Sequence, residues 1–176
     1  ERFIVPNLPA FGLTPATLLS TVVSAINAQQ TLVAIPLATK LAAVGAAQQV
    51  LSSEATPDAA SQQALRRKAL NAAESVLSLP SNSLVSLYEG ANGAQTSVNT
   101  LTTLFNGTVN LGLSQTGANV VRLDVAGLLN EIIAAPAAHG FDNVTGSACP
   151  AGMSSLACFS TTPGFNSKLR YLFADD

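Results

Sequence analysis

The sequence predicts an α/β fold dominated by helices, on three observations. Apolar residues recur at intervals of three and four from residue 16 to 79 and again from 95 to 114, the period of amphipathic helices. The second of these stretches runs through Gly117 into a short β-branched run at 118–125, and a helix feeding a buried strand is the signature of a parallel α/β unit. Apolar runs at Phe3-Ile4-Val5 and from Leu169 to Phe173 supply further candidate strands.

Taken in order, Phe3-Ile4-Val5 is followed by Pro6-Asn7-Leu8-Pro9, whose two prolines remove two ladder donors and end any pairing. Thr14-Pro15 is a helix start, a hydroxyl N-cap before a proline at the first helical position. Leu18, Leu19, Val22, Val23 and Ile26, then Leu32, Val33, Leu37, Leu41 and Val44, suit helices broken or kinked at Pro36. Thr56-Pro57-Asp58 opens a second helical stretch over 58–79, with Leu65, Ala69, Ala72, Val76 and Leu79 on one face and Arg66, Arg67 and Glu74 off it. Turn residues at 80–83 and 90–93 precede an amphipathic helix over 95–114 carrying Val98, Leu101, Phe105, Val109 and Leu113, with Gly117 as its left-handed stop. Residues 127–135 give a short helix stopped by Pro136, and 139–168 reads as loop.

Composition excludes several classes. The chain has 176 residues, 48% hydrophobic and only 10% charged, enough to bury a core and too apolar for disorder. A net charge of -2 leaves Arg66-Arg67-Lys68 as the single basic cluster, expected as a solvated helix face, so nucleic acid is excluded as a partner. The longest uncharged stretch, 16–39, carries Asn27, Gln29, Gln30 and Pro36, whose polar groups have no partners in hydrocarbon, so it is not a membrane span. Glu1-Arg2-Phe3-Ile4-Val5 reads as a strand entered in mid-fold, and the chain is expected to be a fragment or processed piece.

Cys149 and Cys158 sit nine apart in a Gly/Pro/Ser-rich stretch; a short-loop disulfide in an oxidising compartment and two buried free thiols are the two readings. Only His139 and scattered carboxylates are available to a metal, too few for a site. His139 has no Gly-x-Ser-x-Gly elbow or Gly-Asp-Ser turn to serve, and beside Gly140 it reads as a surface residue. Gly90-Ala91-Asn92-Gly93 reads as a turn, and Asn106-Gly107-Thr108 and Asn143-Val144-Thr145 fit the glycosylation triplet. Tyr171-Leu172-Phe173-Ala174 delivers two carboxylates, Asp175 and Asp176. They are either a solvated end or, at the exit of a packed segment, a group suited to orienting an imidazole base.

The order of five segments resembles one family. Residues 6–15 (PNLPAFGLTP), Leu101-Thr102-Thr103-Leu104-Phe105-Asn106, residues 117–125 (GANVVRLDV), Pro136 through Gly140-Phe141-Asp142-Asn143-Val144-Thr145 with the two cysteines, and Tyr171-Leu172-Phe173-Ala174-Asp175 are similar to successive landmarks of GDSL-type (SGNH) serine esterases and lipases, in their secreted and autotransporter branch. The resemblance implies a partial three-layer α/β fold in which 1–15 and 95–176 are the C-terminal part of the hydrolase domain and 16–94 is a helical insertion.

It further implies acyl transfer on a carboxylic ester, with no cofactor. Asp175 occupies the position of the carboxylate that steadies the catalytic imidazole; the nucleophile, oxyanion donors and histidine fall outside the chain, so these residues alone are expected to be inactive. His139 gains no role. The implied partners are an ester or lipid substrate, the missing N-terminal part of the same domain, and a membrane surface met through the insertion; the implied location is secreted or on the bacterial cell surface or outer membrane. The competing expectation is a non-catalytic secreted interaction or adhesin-type module whose residues 16–113 form a bundle.

Overall fold

The computed structural model describes residues 2–30, 34–150 and 152–174. Strand β1 (Arg2–Pro6) leads through a short 3-10 turn at Phe11–Leu13 into five helices: α1 (Pro15–Gln30), α2 (Leu37–Leu51), α3 (Ala59–Leu77), α4 (Ser83–Glu89) and α5 (Ala94–Gln115). Strand β2 (Asn119–Leu123), helix α6 (Val125–Ala134), strand β3 (Asn143–Ser147) and strand β4 (Tyr171–Phe173) follow. The expected helix positions Leu32 and Val33 lie outside the described residues, as do Asp175 and Asp176.

The α/β class holds, in helix-dominated form. β1 pairs with β2 in parallel, Ile4 opposite Val121, and β3 pairs with β4 in parallel, Asn143 opposite Tyr171 and Ser147 opposite Phe173 with a register irregularity between. Among the described residues these are two separate two-stranded sheets.

The helix starts follow local chemistry. Pro15 opens α1, and the Thr14 hydroxyl accepts the Thr17 amide at 3.4 Å. Asp58 caps α3 by accepting the Ser61 amide at 2.8 Å, while the Ser61 hydroxyl accepts the Asp58 amide. Helix α4, which falls between the two turn stretches where the sequence offered no element, is capped from outside itself. The buried Glu74 carboxylate accepts the amides of Asn82 at 2.8 Å and Leu84 at 2.6 Å, so α3 supplies the negative charge that the α4 N-terminus favours.

The core lies among α1 to α4, built from Leu18, Val22 and Ile26, from Ala43, Ala47 and Leu51, from Leu70 and Ala73, and from Leu84 and Tyr88. Fully buried alanines on both α2 and α3 let these helices approach closely along their shared seam. The buried stripe of α3 differs from the expected one. It runs through Leu65, Ala69, Leu70, Ala73 and Leu77 and takes in Arg66 and Glu74, because α3 packs against α1, α2 and α4 at once.

Helix α5 holds the N-terminal loop through two asparagines. The Asn106 carboxamide accepts the Leu8 amide and donates to the Leu8 carbonyl, both at 2.8 Å, and Asn99 Oδ1 accepts the Gly12 amide at 3.0 Å. A Cβ on Gly12 would stand 2.4 Å from the Gln95 carbonyl oxygen, so this approach requires glycine. The expected apolar face of α5 is only partly packed within the described chain: Val98, Val109 and Leu113 are half-buried, Leu101 and Phe105 are exposed, and Leu104 and Leu111 beside them are exposed too. The expectation that the strand after α5 is buried is likewise corrected. Val121 and Leu123 are exposed and Val120 and Arg122 half-buried, because the β1–β2 pair lacks a covering layer on that face. Gly117 adopts φ +64° and stops α5 as expected.

The stretch expected as loop contains the most buried strand. Every residue of β3 is buried, and its order comes from Asn143, whose carboxamide donates to the carbonyls of Leu51 (2.8 Å) and Glu54 (2.7 Å) and accepts from the amides of Thr145 and Gly146 (both 2.8 Å). Thus Asn143 cannot serve as a glycan acceptor in the folded chain. A Cβ on Gly146 would lie 2.5 Å from the Leu51 carbonyl oxygen, so the strand reaches the helix end only with glycine there. Replacing Asn143 by Ala strands buried donors and acceptors on both sides of this junction. Urea unfolding is expected to show a loss of about 3 kcal/mol or more, whereas Asn110→Ala on the exposed side of α5 should cost under ~0.5 kcal/mol.

Candidate functional site

The carboxyl ends of parallel strands are where open α/β sheets place ligands, since the connections there diverge and leave a crevice. At that end of β3 the chain forms a cleft of about 470 Å³. One wall is α2 and its exit, with Gly45, Gln48 and Ser52; the other is the β3 exit and the loop after it, with Ser147, Cys149 and Asn166.

The walls are held by polar contacts to backbone. Gln48 is buried and donates from Nε2 to Ser147 Oγ and the Cys149 carbonyl, both at 2.9 Å, while its Oε1 is sealed with no partner. The Ser52 hydroxyl donates to the Ser147 carbonyl at 2.9 Å. The Ser52 carbonyl in turn accepts from Asn166 Nδ2 (2.9 Å) and the Tyr171 hydroxyl (2.7 Å). Cys149 and Cys158 are joined in a disulfide, which settles their two readings and tethers the loop beyond the cleft. Main-chain pairing continues past β4, the Ala174 carbonyl accepting the Cys149 amide at 2.8 Å. Asp175, the residue expected to orient an imidazole, and its neighbour Asp176 lie outside the described residues.

At the opposite end of the β3–β4 pair, Arg170 donates from Nε and Nη2 to the two Asp142 carboxylate oxygens at 2.9 Å, and its own amide adds a third bond. This fork holds the Asp142 carboxyl down at about 2, chiefly through the side-chain bonds. Sequence reading missed the pair, because 28 residues separate its members and nothing local links them. His139 ends the short 3-10 turn at Pro136–His139, exposed and away from the cleft walls, the surface position expected of it. Gly90-Ala91-Asn92-Gly93 forms the turn between α4 and α5. Among the described residues no group of three His, Cys, Asp or Glu side chains could hold a metal, and no helix is long and apolar enough to cross a membrane.

Comparison with known proteins places one stretch of this chain. Over 66 residues, 38% of the chain, it is 46% identical to Lipase 1 of Photorhabdus luminescens. The chain is related, over that stretch, to a lipase. The matched stretch spans 10% of that relative's length. No protein-family profile matches the chain, and no solved structure matches it.

Two titrations test this geometry. The folded Asp142 carboxyl is depressed, so its stabilisation is complete above the unfolded value near ~3.9 and is lost as pH falls through about 2. Arg170→Met should move the Asp142 carboxyl midpoint, followed by NMR, up toward ~4. The chain has two tyrosines, each buried enough to be pushed up to about 12 and each donating to a carbonyl, Tyr171 to Ser52 and Tyr88 to Gly12 at 2.8 Å. Their contribution holds below the unfolded value near ~10 and is lost as pH rises through about 12. Phenolate absorbance should therefore stay flat through pH ~10 and rise only near 12, with denaturant restoring a midpoint near ~10.

Proposed function

We propose that this chain is the C-terminal part of a secreted carboxylic-ester hydrolase of the GDSL (SGNH) type. The observation that carries the reading is the stretch 46% identical to Lipase 1 of Photorhabdus luminescens. Support also comes from β4, which aligns Tyr171, Leu172 and Phe173 beside a buried strand whose exit lines a cleft, with Asp175 two residues further along the sequence.

In this reading a serine elsewhere in the longer polypeptide attacks the ester carbonyl, a histidine takes and returns the proton, and Asp175 holds that imidazole in the required tautomer and stabilises its cation. Residues 1–15 and 95–176 belong to the hydrolase domain, and 16–94 is the helical insertion. Exposed Ile4, Val121 and Leu123 on the β1–β2 pair, with Leu101, Leu104 and Phe105 on α5, are the apolar surface that the remainder of the domain covers. Leu37 and Leu41, exposed on α2, are the insertion's point of contact with a lipid surface. The Cys149–Cys158 disulfide suits a secreted or cell-surface location.

The test is hydrolysis of p-nitrophenyl butyrate. The 176-residue chain should be inert. The longer polypeptide should turn over, and Asp175→Asn in it should lower kcat by roughly 10⁴-fold with KM little changed. Turnover by the short chain, or a kcat unaffected by Asp175→Asn, overturns the assignment.

A further inference from the structure

Among the described residues Arg66 is a nearly buried charge that no ion pair neutralises. It lies on α3 and is only 6% exposed, yet among the described residues its guanidinium makes a single long hydrogen bond, from Nη2 to the Leu13 carbonyl at 3.4 Å. The ion pairs among the described residues are Arg67 with Glu89, Lys68 with Glu54 and Arg170 with Asp142, so among those residues Arg66 has no carboxylate in direct contact, and Glu89 attracts it only from a distance. A buried cation of this kind is normally paired, because removal from water costs more than one weak bond returns.

The unused donors of Arg66 are not sealed in protein. Sealed side-chain atoms without a partner among the described residues are Gln48 Oε1 and Arg122 Nη1, neither belonging to Arg66. Arg66 instead lines a cleft of about 300 Å³. Gln63 and Gln95 offer amides at its wall, and Leu13 and Ile133 offer apolar surface. Glu89 also faces this space, but Arg67 neutralises it, donating to its Oε2 from Nη2 at 2.6 Å and Nε at 2.8 Å. The three charges therefore leave one positive charge in excess beside a small, half-apolar cavity.

The geometry points to a binding site for a short-chain carboxylate, its two oxygens on the Arg66 guanidinium and its alkyl chain against Leu13 and Ile133. A monoanion matches the single excess charge. A planar two-oxygen group matches the fork of a guanidinium, as a spherical halide does not. The apolar wall selects an alkyl carboxylate over a fully hydrated oxyanion. The site stands on the charge and shape around Arg66 and does not rest on the hydrolase reading.

Butyrate is the probe. Sodium butyrate titrated into the purified protein at constant ionic strength, read by the NMR resonances of the arginine Nε–H groups, should shift Arg66 saturably, and sodium chloride should not. Arg66→Gln should abolish saturation, a loss of about tenfold or more in affinity. Gln63→Glu, an exposed change at the cleft wall that leaves the core intact, keeps the test open where Arg66→Gln fails to fold; it should weaken butyrate about threefold or more by placing a like charge there. Glu89→Gln should instead tighten butyrate, since it removes the competing carboxylate. A linear response to butyrate, an equal response to chloride, or affinity unchanged by Gln63→Glu overturns the site.

Discussion

The structure turns on the exit of α2. The last carbonyls of a helix have no partner within it, and burying them demands donors from elsewhere. Here the Leu51 carbonyl takes the Asn143 carboxamide and, at 3.3 Å, the Thr145 hydroxyl; the Ser52 carbonyl takes Asn166 and Tyr171; the Glu54 carbonyl takes Asn143 again. These donors come from β3, β4 and the loop between them, roughly a hundred residues onward in the chain. The helical layer and the β3–β4 pair are thereby one unit, and the cleft at the end of β3 has walls whose spacing the same bonds set. Loosening this junction would unseat β3, whose burial depends on helix carbonyls more than on its short ladder with β4.

A second set of polar ties does the same for the first strand. Asn106 and Asn99 on α5 hold the loop after β1, and Asn7 in that loop accepts the Ala126 amide and donates to Asp124, the cap of α6. Amide side chains recur in this role because they supply a donor and an acceptor together without adding charge, and the chain is only 10% charged. The contrast is the apolar side. α1 to α4 bury a shared core, whereas the β1–β2 pair and one flank of α5 present Ile4, Val121, Leu104 and Phe105 to solvent. One part of the chain satisfies its own hydrophobic surface and the other does not, in keeping with the proposal that it belongs to a larger hydrolase domain.

Legibility in the sequence followed the range of the forces involved. The Thr14-Pro15 start, the helix start at Asp58, the Gly117 stop and the strand at 118–125 that follows it could be read because each depends on neighbours a few residues apart. Helix α4 could not, since its cap is a carboxylate on another helix. Strand β3 could not either: Asn143-Val144-Thr145-Gly146-Ser147 has one large apolar residue and no alternation, and is buried because its polar groups are bonded to α2 and to one another. The basic triplet misled for a related reason. Arg67 and Lys68 are exposed as expected, but Arg66 points into the junction of α3 with the Phe11–Leu13 turn.

By itself the sequence determined where α1, α3 and α5 start or stop, that α5 feeds a strand, and that the two cysteines lie close enough to bond, because torsional preference, capping and short loops act within a few residues. Only the tertiary structure decided which polar side chains are buried, which carboxylate meets which cation, and that a cleft opens at the end of β3. Those outcomes depend on desolvation and on hydrogen bonds between segments far apart in the chain, and neither has a signature in the order of residues.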